Sequence, residues 1–253
     1  MWFVEYRELI KILTISDLKV KYQSSVLGFA WSMLNPLLLM LVLYFVFSNV
    51  FKMTQDYFAL YLLIGIISWR FIANGTMSAM FAIVGKPNLV TKIFIPRKVL
   101  VLSTVLSAFI SSLLEFLVLA PLLVVLGAGL SPYILIFPFI HIIYLFIVYG
   151  ISLILASLYV YYRDLTQIWD VLMQIGFFLS PIVYPLSTVP TKYMSYYMLN
   201  PMTVMIQMYR DVLLYQQMPS PWDVAFTLLA GVGITLIGSA IFQRLERRFA
   251  EEI

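Results

Sequence analysis

Two charged residues, Arg70 and Glu115, lie inside long apolar stretches of the sequence. A charge at membrane depth is costly unless it is paired, so both residues need a partner. Helical residues four positions apart share a face, and each of the two helices would carry one polar stripe. The stripes comprise Asn74 and Ser78 after Arg70, and Ser103, Ser107 and Ser111 before Glu115. Because the stripes match in register when the helices run antiparallel, we predict an intramembrane ion pair between Arg70 and Glu115.

Other reactive groups are scarce. The sequence has no cysteine and a single histidine, His141, which lies in an apolar run and is predicted to be a packed helix residue. It has no GxxxxGK motif followed by Ser or Thr, no GxSxG or HExxH motif, and no acidic cluster with metal-ligand spacing. We therefore predict no catalytic residue, no metal site and no cofactor bound by this chain.

The composition is that of a membrane protein. Hydrophobic residues make up 62% of the 253 residues, charged residues make up 11%, and the mean hydropathy is +0.97. Soluble domains are about half apolar and about a quarter charged. The formal net charge is +4, but the basic residues flank apolar runs and do not form one continuous face. Membrane topology explains these charges, and no nucleic-acid partner is expected.

Six apolar runs are long enough to cross the hydrocarbon core, which takes roughly 20 helical residues. They cover residues 29–51, 57–84, 99–126, 133–161, 167–186 and 223–243. Lys and Arg concentrate before the first run, after the second, fourth and sixth, whereas the alternate connections receive only Lys52, Lys192 and Arg210. The positive-inside rule therefore places both termini in the cytoplasm. We predict an all-α, polytopic fold with six transmembrane helices, forming one domain over residues 1–253.

The segments outside the six-span bundle (29–243) have features of their own. Residues 1–28 contain an amphipathic helix whose apolar arc comprises Leu9, Ile12, Leu13, Ser16 and Val20. This helix either lies along the membrane surface or packs on the bundle, and the sequence leaves both interpretations open. Residues 187–222 are predicted to contain two short outer helices, 191–199 and 201–215. Residues 244–253 are predicted to be a cytoplasmic tail.

Aromatic residues make up 16% of the chain, and several of them lie within or near the predicted spans. These are Phe29, Trp31, Tyr44, Phe47, Trp69, Phe177, Phe178 and Tyr184. Helix packing and lipid contact are the favoured explanation for any single one. The alternative is that some of them line a conduit in which flat rings contact the apolar faces of sugars.

Four stretches resemble a known family. They are Tyr22–Pro36 (YQSSVLGFAWSMLNP), Tyr162–Leu165 (YRDL), Phe178–Pro185 (FLSPIVYP) and Asn200–Asp211, which begins with NPMT and ends with YRD. In this order and at this spacing they resemble the permease subunits of ABC-2 type transporters that export polysaccharide, and among these the O-antigen exporters. The resemblance runs essentially from end to end.

The resemblance implies a homodimer that works with two separate ATP-binding cassette subunits, which bind ATP and magnesium. It implies export of a polyprenyl-diphosphate-linked glycan across the bacterial inner membrane, through a channel between the two subunits. The aromatic residues named above would be channel or lateral-gate contacts, and Arg7 and Lys21 would be candidate diphosphate contacts. By the same resemblance, residues 1–28 would contact the ATPase and residues 187–222 would form a periplasmic gate.

A basic segment bounded by Pro87 and Pro96 connects the second and third predicted spans. By the resemblance, it would carry the coupling helix that enters a groove of the ATPase, with Asn88 as the N-cap. The residues of this predicted site are Asn88, Leu89, Lys92, Ile93 and Phe94. An ordinary basic loop held by lipid headgroups is the alternative.

Other functions share parts of this pattern. ABC-2 permeases for teichoic acid or capsule, or for drugs or small lipids, would have the same fold. A secondary transporter would carry inverted repeats and broken helices at midmembrane, and neither is evident in the sequence. A membrane scaffold without cargo would need no coupling segment. The sequence does not identify the sugar or the length of the glycan.

Overall fold

The computed structural model describes residues 6–23, 28, 30–53, 55–92 and 95–252. Within these residues the secondary structure is helical and contains no strand, which confirms the all-α prediction. In chain order the helices are α1 (Arg7–Tyr22), α2 (Ala30–Phe45), α3 (Phe58–Val84), α4 (Pro87–Lys92), α5 (Lys98–Val125), α6 (Phe137–Tyr161), α7 (Leu165–Leu179), α8 (Thr191–Leu199), α9 (Pro201–Leu213), α10 (Pro221–Leu245) and α11 (Phe249–Glu252). A π-helical turn, Val46–Val50, extends α2.

Five of the described helical stretches are long and apolar enough to cross a membrane, and they agree with five of the six predicted spans. They are Ala30–Val50, Phe58–Val84, Lys98–Val125, Pro132–Tyr161 and Pro221–Arg248. α3 is the central helix, because it packs against α2, α5, α6, α7 and α9. The chain is a multi-pass membrane protein built around this buried helix.

The fifth predicted span is shorter than the sequence analysis expected. α7 has 15 residues and ends at Leu179 instead of Leu186. At 1.5 Å per residue its length is about 22 Å, less than the roughly 30 Å of the hydrocarbon core. The helix ends here because the residue before a proline avoids the α conformation, and Ser180, which precedes Pro181, is extended (φ −96°, ψ 147°).

The chain that follows α7 is irregular but buried at residues 180–183. Irregular backbone away from water needs hydrogen-bond partners within the protein. Arg210 of α9 supplies them, since its guanidinium donates to the carbonyl oxygens of Pro181 at 2.7 Å and Ile182 at 3.2 Å. It also donates to the carbonyl of Tyr61 at 3.2 Å, and its Cζ lies 3.3 Å from the centre of the Tyr61 ring. The hydroxyl of Tyr61 also donates to the carbonyls of Pro181 at 3.4 Å and Tyr184 at 2.9 Å, so Arg210 and Tyr61 together fix the end of α7 against α3.

Arg210 is fully buried, although the sequence analysis had counted it among the charges of the outer connections. Among the described residues no carboxylate forms an ion pair with it. Burial lowers the pKa of Arg210 to about 10, so the side chain remains a cation at neutral pH. Carbonyl dipoles and an aromatic face balance its charge, and Asp211, the next residue in the sequence, forms no ion pair with it.

Helix α1 packs along the first half of α5. Ile10 and Thr14 are each 5% exposed, and Thr14 donates to the carbonyl of Ser103 at 3.3 Å. Of the predicted apolar arc, Leu9 and Leu13 pack against the bundle, whereas Ile12 and Val20 are 62% and 73% exposed. The bundle-facing side is partly polar since α5 presents serines there.

Glycines allow α6 and α10 to pack unusually closely. A Cβ atom on Gly238 would collide with the carbonyl oxygen of Gly150, and one on Gly150 would collide with the backbone of Ile234. Thr235 of α10 donates to the carbonyl of Phe146 at 2.8 Å in the same contact. Small residues at such crossings let helix backbones approach each other in membranes.

Replacing Arg210 with Met should strongly destabilise the protein, because the buried carbonyls of Pro181, Tyr61 and Ile182 lose the guanidinium that donates to them. Each unsatisfied buried group costs about 1–3 kcal/mol, so we expect a loss of roughly 3 kcal/mol or more. The apparent unfolding midpoint in detergent should fall by about 6–12 °C. Arg248→Met, at an exposed arginine, is the matched control and should change the midpoint by less than about 2 °C. Equal midpoints for the two variants would contradict the role of Arg210.

Candidate translocation and coupling sites

A polar network lies between α2, α3 and α5. Arg70 Nε is 3.4 Å from Glu115 Oε2, and Arg70 Nη1 donates to Asn35 Oδ1 at 3.1 Å. The side chain of Glu115 is 5% exposed and that of Arg70 is 22% exposed. The structure therefore brings the two predicted charges together and adds Asn35, which the sequence analysis missed. The sequence feature that could have indicated this contact was the amide of Asn35, which stands beside Pro36 in an otherwise apolar run.

Ser111, one turn before Glu115 on the polar stripe of α5, contacts the end of α1. Its hydroxyl lies 3.1 Å from the Tyr22 hydroxyl and 3.5 Å from Lys21 Nζ. The Ser32 hydroxyl donates to the Tyr22 oxygen at 2.8 Å. The end of α1 and the start of α2 are thus held to the polar stripe of α5.

A cavity of about 470 Å³ adjoins the network between α1, α3 and α5. Its wall includes Asn74 of α3 and Ser107 of α5, so the polar stripes of the two helices face a common space. Beside it, Lys86 Nζ forms an ion pair with Asp17 at 2.8 Å, and Thr104 donates to the same carboxylate at 3.0 Å. A space with this lining is large and polar enough to hold water.

The two candidate diphosphate contacts are not neighbours. Arg7 and Lys21 lie near opposite ends of α1, about 21 Å apart along the helix axis. Lys21 lines the polar cavity, whereas Arg7 is exposed and lies 3.4 Å from Glu8. The structure brings Lys21, and not Arg7, to the polar network.

Several predicted channel aromatics pack inside the subunit. Trp69 is 8% exposed, and its ring meets the edge of Phe177 with centroids 6.3 Å apart. Gly176 leaves room for the Trp69 ring, which a Cβ atom there would strike. Tyr184 is half-buried, and its hydroxyl lies 3.0 Å from that of Tyr197. These rings hold α7 and the segment after it against their neighbours.

Other predicted aromatics remain on the surface of the subunit. Trp31 and Tyr44 of α2 are 51% and 42% exposed, and Phe178 of α7 is 64% exposed. Phe47 is half-buried and stacks on Phe51. The remaining candidate, Phe29, lies outside the described residues.

The predicted N-cap of the coupling helix was wrong. The helix begins at Pro87, and the N–H of Val90 donates to the carbonyl of Lys86 at 3.3 Å, so Lys86 is the N-cap. Asn88 lies within the first turn of α4. The physical reason is that proline suits the first helical position, where its missing N–H leaves no bond unmade.

The faces of α4 have different surroundings. Val90 is 5% exposed and packs into the core of the bundle, while Leu89 is half-buried and Asn88 is exposed. α4 ends at Lys92. The predicted coupling residues Ile93 and Phe94 lie outside the described residues.

The tail is docked on the bundle at the same end as α4. Phe249 is fully buried and meets Phe242 at right angles, with centroids 5.4 Å apart. Arg97, just before α5, donates to the carbonyl of Glu246 at 2.6 Å, and Tyr161 donates to the last carbonyl of α10 at 2.8 Å. The sequence analysis treated residues 244–253 as a simple tail. The sequence feature that could have indicated docking was Phe249, an aromatic residue among the charged residues of the tail.

The described residues contain no group of His, Asp and Glu suited to a metal ion. His141 is fully buried, with Nδ1 2.7 Å from the Tyr209 hydroxyl and its ring stacked between Phe109 and Phe137. This placement agrees with the prediction of a packed helix residue.

Comparison with known proteins identifies the family. The family model described as ABC-2 type transporter matches residues 8–214, most of the chain. The chain belongs to the ABC-2 type transporter family. Permease subunits of this family are not themselves enzymes, and the resemblance carried by the four sequence motifs is confirmed.

Relatives match the ABC-2 chain over almost its whole length. The O-antigen export system permease protein RfbA of Klebsiella pneumoniae is 29% identical over 249 residues, covering 96% of the chain and 94% of the relative. That of Myxococcus xanthus is 31% identical over 257 residues, covering 98% and 96%. The polysialic acid transport protein KpsM of Escherichia coli is 20% identical over 244 residues, covering 94% and 93%.

Two of the motifs that carry the family resemblance meet in space. Arg210, in the stretch that starts at Asn200, donates to Pro181 in the stretch that starts at Phe178. The side chain of Asn200 caps α9 by accepting from the Met202 N–H at 3.0 Å. The cap sets where α9 begins and thereby places Arg210 beside the end of α7.

Reversing the charges at residues 70 and 115 tests the ion pair. Arg70→Glu or Glu115→Arg alone should lower stability by about 3–5 kcal/mol, because each leaves two like charges together in a poorly hydrated site. The double variant should recover most of this loss, measured as folded protein extracted from membranes and as unfolding midpoint. The exposed pair Arg7→Glu with Glu8→Arg is the control, for which each single change should have little effect. No recovery in the double variant would refute the pairing.

Proposed function

We propose that this ABC-2 chain is the permease subunit of a transporter that exports an O-antigen-like polysaccharide, linked to a polyprenyl diphosphate, across the bacterial inner membrane. Two copies form a homodimeric channel, and two separate ATP-binding cassette subunits use ATP and magnesium to drive it. The observation that carries this proposal is the nearly full-length match to relatives named as O-antigen export permeases.

The distribution of charge supports cytoplasmic termini. Three basic residues lie at span ends or in connections on the same side of the bundle as α1 and the tail, and they are Lys86, Arg97 and Arg163. On the other side only Lys52 and Lys192 remain, because Arg210 is buried and does not act as a flanking charge. The asymmetry of basic residues is therefore larger than the sequence count indicated.

The exposed aromatic rings support a conduit between two copies. α2 and α7 both pack against α3, and each leaves a large part of its surface uncovered within one subunit. Trp31 and Tyr44 on α2 and Phe178 on α7 lie on these uncovered surfaces. A second copy facing them would enclose these rings between the two subunits. The flat faces of the rings can contact the apolar faces of sugars without forming hydrogen bonds, so a glycan could move past them.

The contacts around α4 support its role in coupling. α4 exposes Asn88 to a partner and anchors itself in the bundle through Val90. The segment after α4 leads to Arg97, which is bonded to the carbonyl of Glu246 after α10. Displacement of α4 by an ATP-binding subunit would therefore be transmitted to α5 and α10 together.

The distant match to polysialic acid transport proteins favours a second candidate within the same class. In that case the cargo would be another bacterial glycan, such as capsule or teichoic acid. Export of drugs or small lipids has no comparable observation in its favour.

The function is tested by deleting the gene in the source bacterium. The deletion should reduce polysaccharide at the cell surface and cause polyprenyl-linked glycan to accumulate inside the cell, and the intact gene should reverse both effects. Unchanged surface polysaccharide, with no internal accumulation, would reject the proposal.

A double substitution on α4, Asn88→Glu with Leu89→Asp, tests coupling. It should prevent co-purification of the ATP-binding subunit and abolish export, because charges replace the exposed amide of Asn88 and the half-buried apolar side chain of Leu89. The amount of chain in the membrane should stay near normal because Val90 is unchanged. Ser195→Asp, on the exposed surface of α8, is the control and should leave co-purification intact. Normal co-purification of the double variant would contradict the assignment of α4.

A further inference from the structure

α7 presents three kinds of surface. At about 100° per residue, its partly buried residues cover one arc of about 120° that packs against α3 and α6. They are Leu165, Thr166, Trp169, Met173, Gly176 and Phe177. A second arc of similar width is exposed and apolar, and includes Val171, Leu172 and Ile175. Between these arcs lies a narrow exposed stripe of about 60° formed by Gln167, Asp170 and Gln174.

This polar stripe is in the wrong place for a helix surrounded by lipid. Gln174 is ten residues beyond Asp164, the N-cap of α7, so it lies about 15 Å along the helix, near half the depth of the hydrocarbon core. Polar side chains at such depth face protein or water and not lipid. The subunit itself does not cover the stripe, since all three residues are exposed.

The stripe borders the face of α7 that packs on α3. Trp169 donates to Thr76 of α3 at 2.8 Å, and Phe177, next to the stripe on the helix surface, contacts Trp69 of α3. The apolar arc that contains Leu172 lies on the other side of α7. Lipid therefore has an apolar surface to contact, and the stripe faces a different environment.

We propose that Gln167, Asp170 and Gln174 form a hydroxyl-binding track for the exported glycan, on a water-filled path shared by two copies of the chain. The inference rests on the proposed function and adds a polar contact site to a conduit for which sequence analysis had considered only aromatic rings.

The chemistry of the stripe matches that of a polyhydroxylated ligand. Gln174 Nε2 donates to Asp170 Oδ2 at 2.8 Å, which orients both side chains. Each side chain has further hydrogen-bonding capacity, since a glutamine amide has a second N–H and a carbonyl oxygen, and a carboxylate has a second oxygen. Sugar hydroxyls both donate and accept, so successive residues of a glycan could exchange partners along the stripe. Phe178, exposed one turn beyond Gln174, would offer a ring at the end of the track.

The chain contains no cysteine, so single-cysteine variants test the track directly. We compare Gln174→Cys with Leu172→Cys, which is 48% exposed on the apolar arc, in membranes that contain the complete transporter. The probe is a membrane-impermeant, positively charged methanethiosulfonate reagent. Gln174→Cys should react with the reagent about tenfold faster than Leu172→Cys, because only a hydrated thiol ionises to the reactive thiolate. Equal rates for the two positions would overturn the water-filled path.

A second labelling experiment tests whether the glycan occupies the track. Labelling of Gln174→Cys should be slower in membranes from cells that make the glycan than in membranes from cells whose glycan synthesis is blocked. Equal labelling in the two membranes would overturn the track even if the position is wet.

Export measurements separate the track from the proposed function. Asp170→Asn keeps an acceptor and should retain most export, whereas Asp170→Leu should lower surface polysaccharide several-fold at equal amounts of chain and ATP-binding subunit in the membrane. Leu172→Ala is the control and should export normally. Normal export by Asp170→Leu would reject the track while leaving the permease function intact. Failure of the intact gene to restore export in the deletion strain would instead reject the function itself.

Discussion

Lipid offers no hydrogen-bond partner to a polypeptide, and this constraint explains the most unusual contact in the protein. Where α7 ends, the carbonyls of residues 181 and 182 are buried without a helix to satisfy them. Arg210 reaches them from α9 and at the same time bonds to Tyr61 on the central helix. The guanidinium of Arg210 and the hydroxyl of Tyr61, which donates to the carbonyls of Pro181 and Tyr184, together hold the buried irregular segment after the short α7. Without these donors, the carbonyls of the segment would be buried without partners.

The same constraint governs the polar network on the other side of α3. Arg70 and Glu115 lie where charges are poorly hydrated, and they are held together by each other and by Asn35. One turn before Glu115, Ser111 contacts Lys21 and Tyr22 at the end of α1, so α1 is tied to the polar stripe of α5. Charge inside this bundle serves to fix the relative positions of four helices.

At the end that carries α4, packing joins segments that are far apart in sequence. The docked tail links α10 to Arg97 at the start of α5, and Tyr161 links α6 to the same region. α4 therefore lies beside a cluster that joins α5, α6 and α10, and in our proposal a push on this short helix is transmitted to those spans. The outward faces of α2 and α7, by contrast, are uncovered in one subunit, and in our proposal their aromatic and polar residues contact the second copy and the cargo.

The sequence by itself determined the order of the apolar helices and five of the six predicted spans, because long apolar runs in lipid have few alternatives to helix. It also determined the pairing of Arg70 with Glu115, since stripes at four-residue spacing and an unpaired charge leave few choices. The end of α7, the packing face of α1, the N-cap of α4 and the docking of Phe249 were decided by tertiary structure. Each depends on what a distant segment offers, such as a guanidinium for carbonyls or a pocket for a ring. Arg210 shows the limit most clearly. In the sequence, an arginine followed by an aspartate in a connection between spans indicates a surface residue. Only the fold reveals the carbonyls and the aromatic face that surround the buried guanidinium.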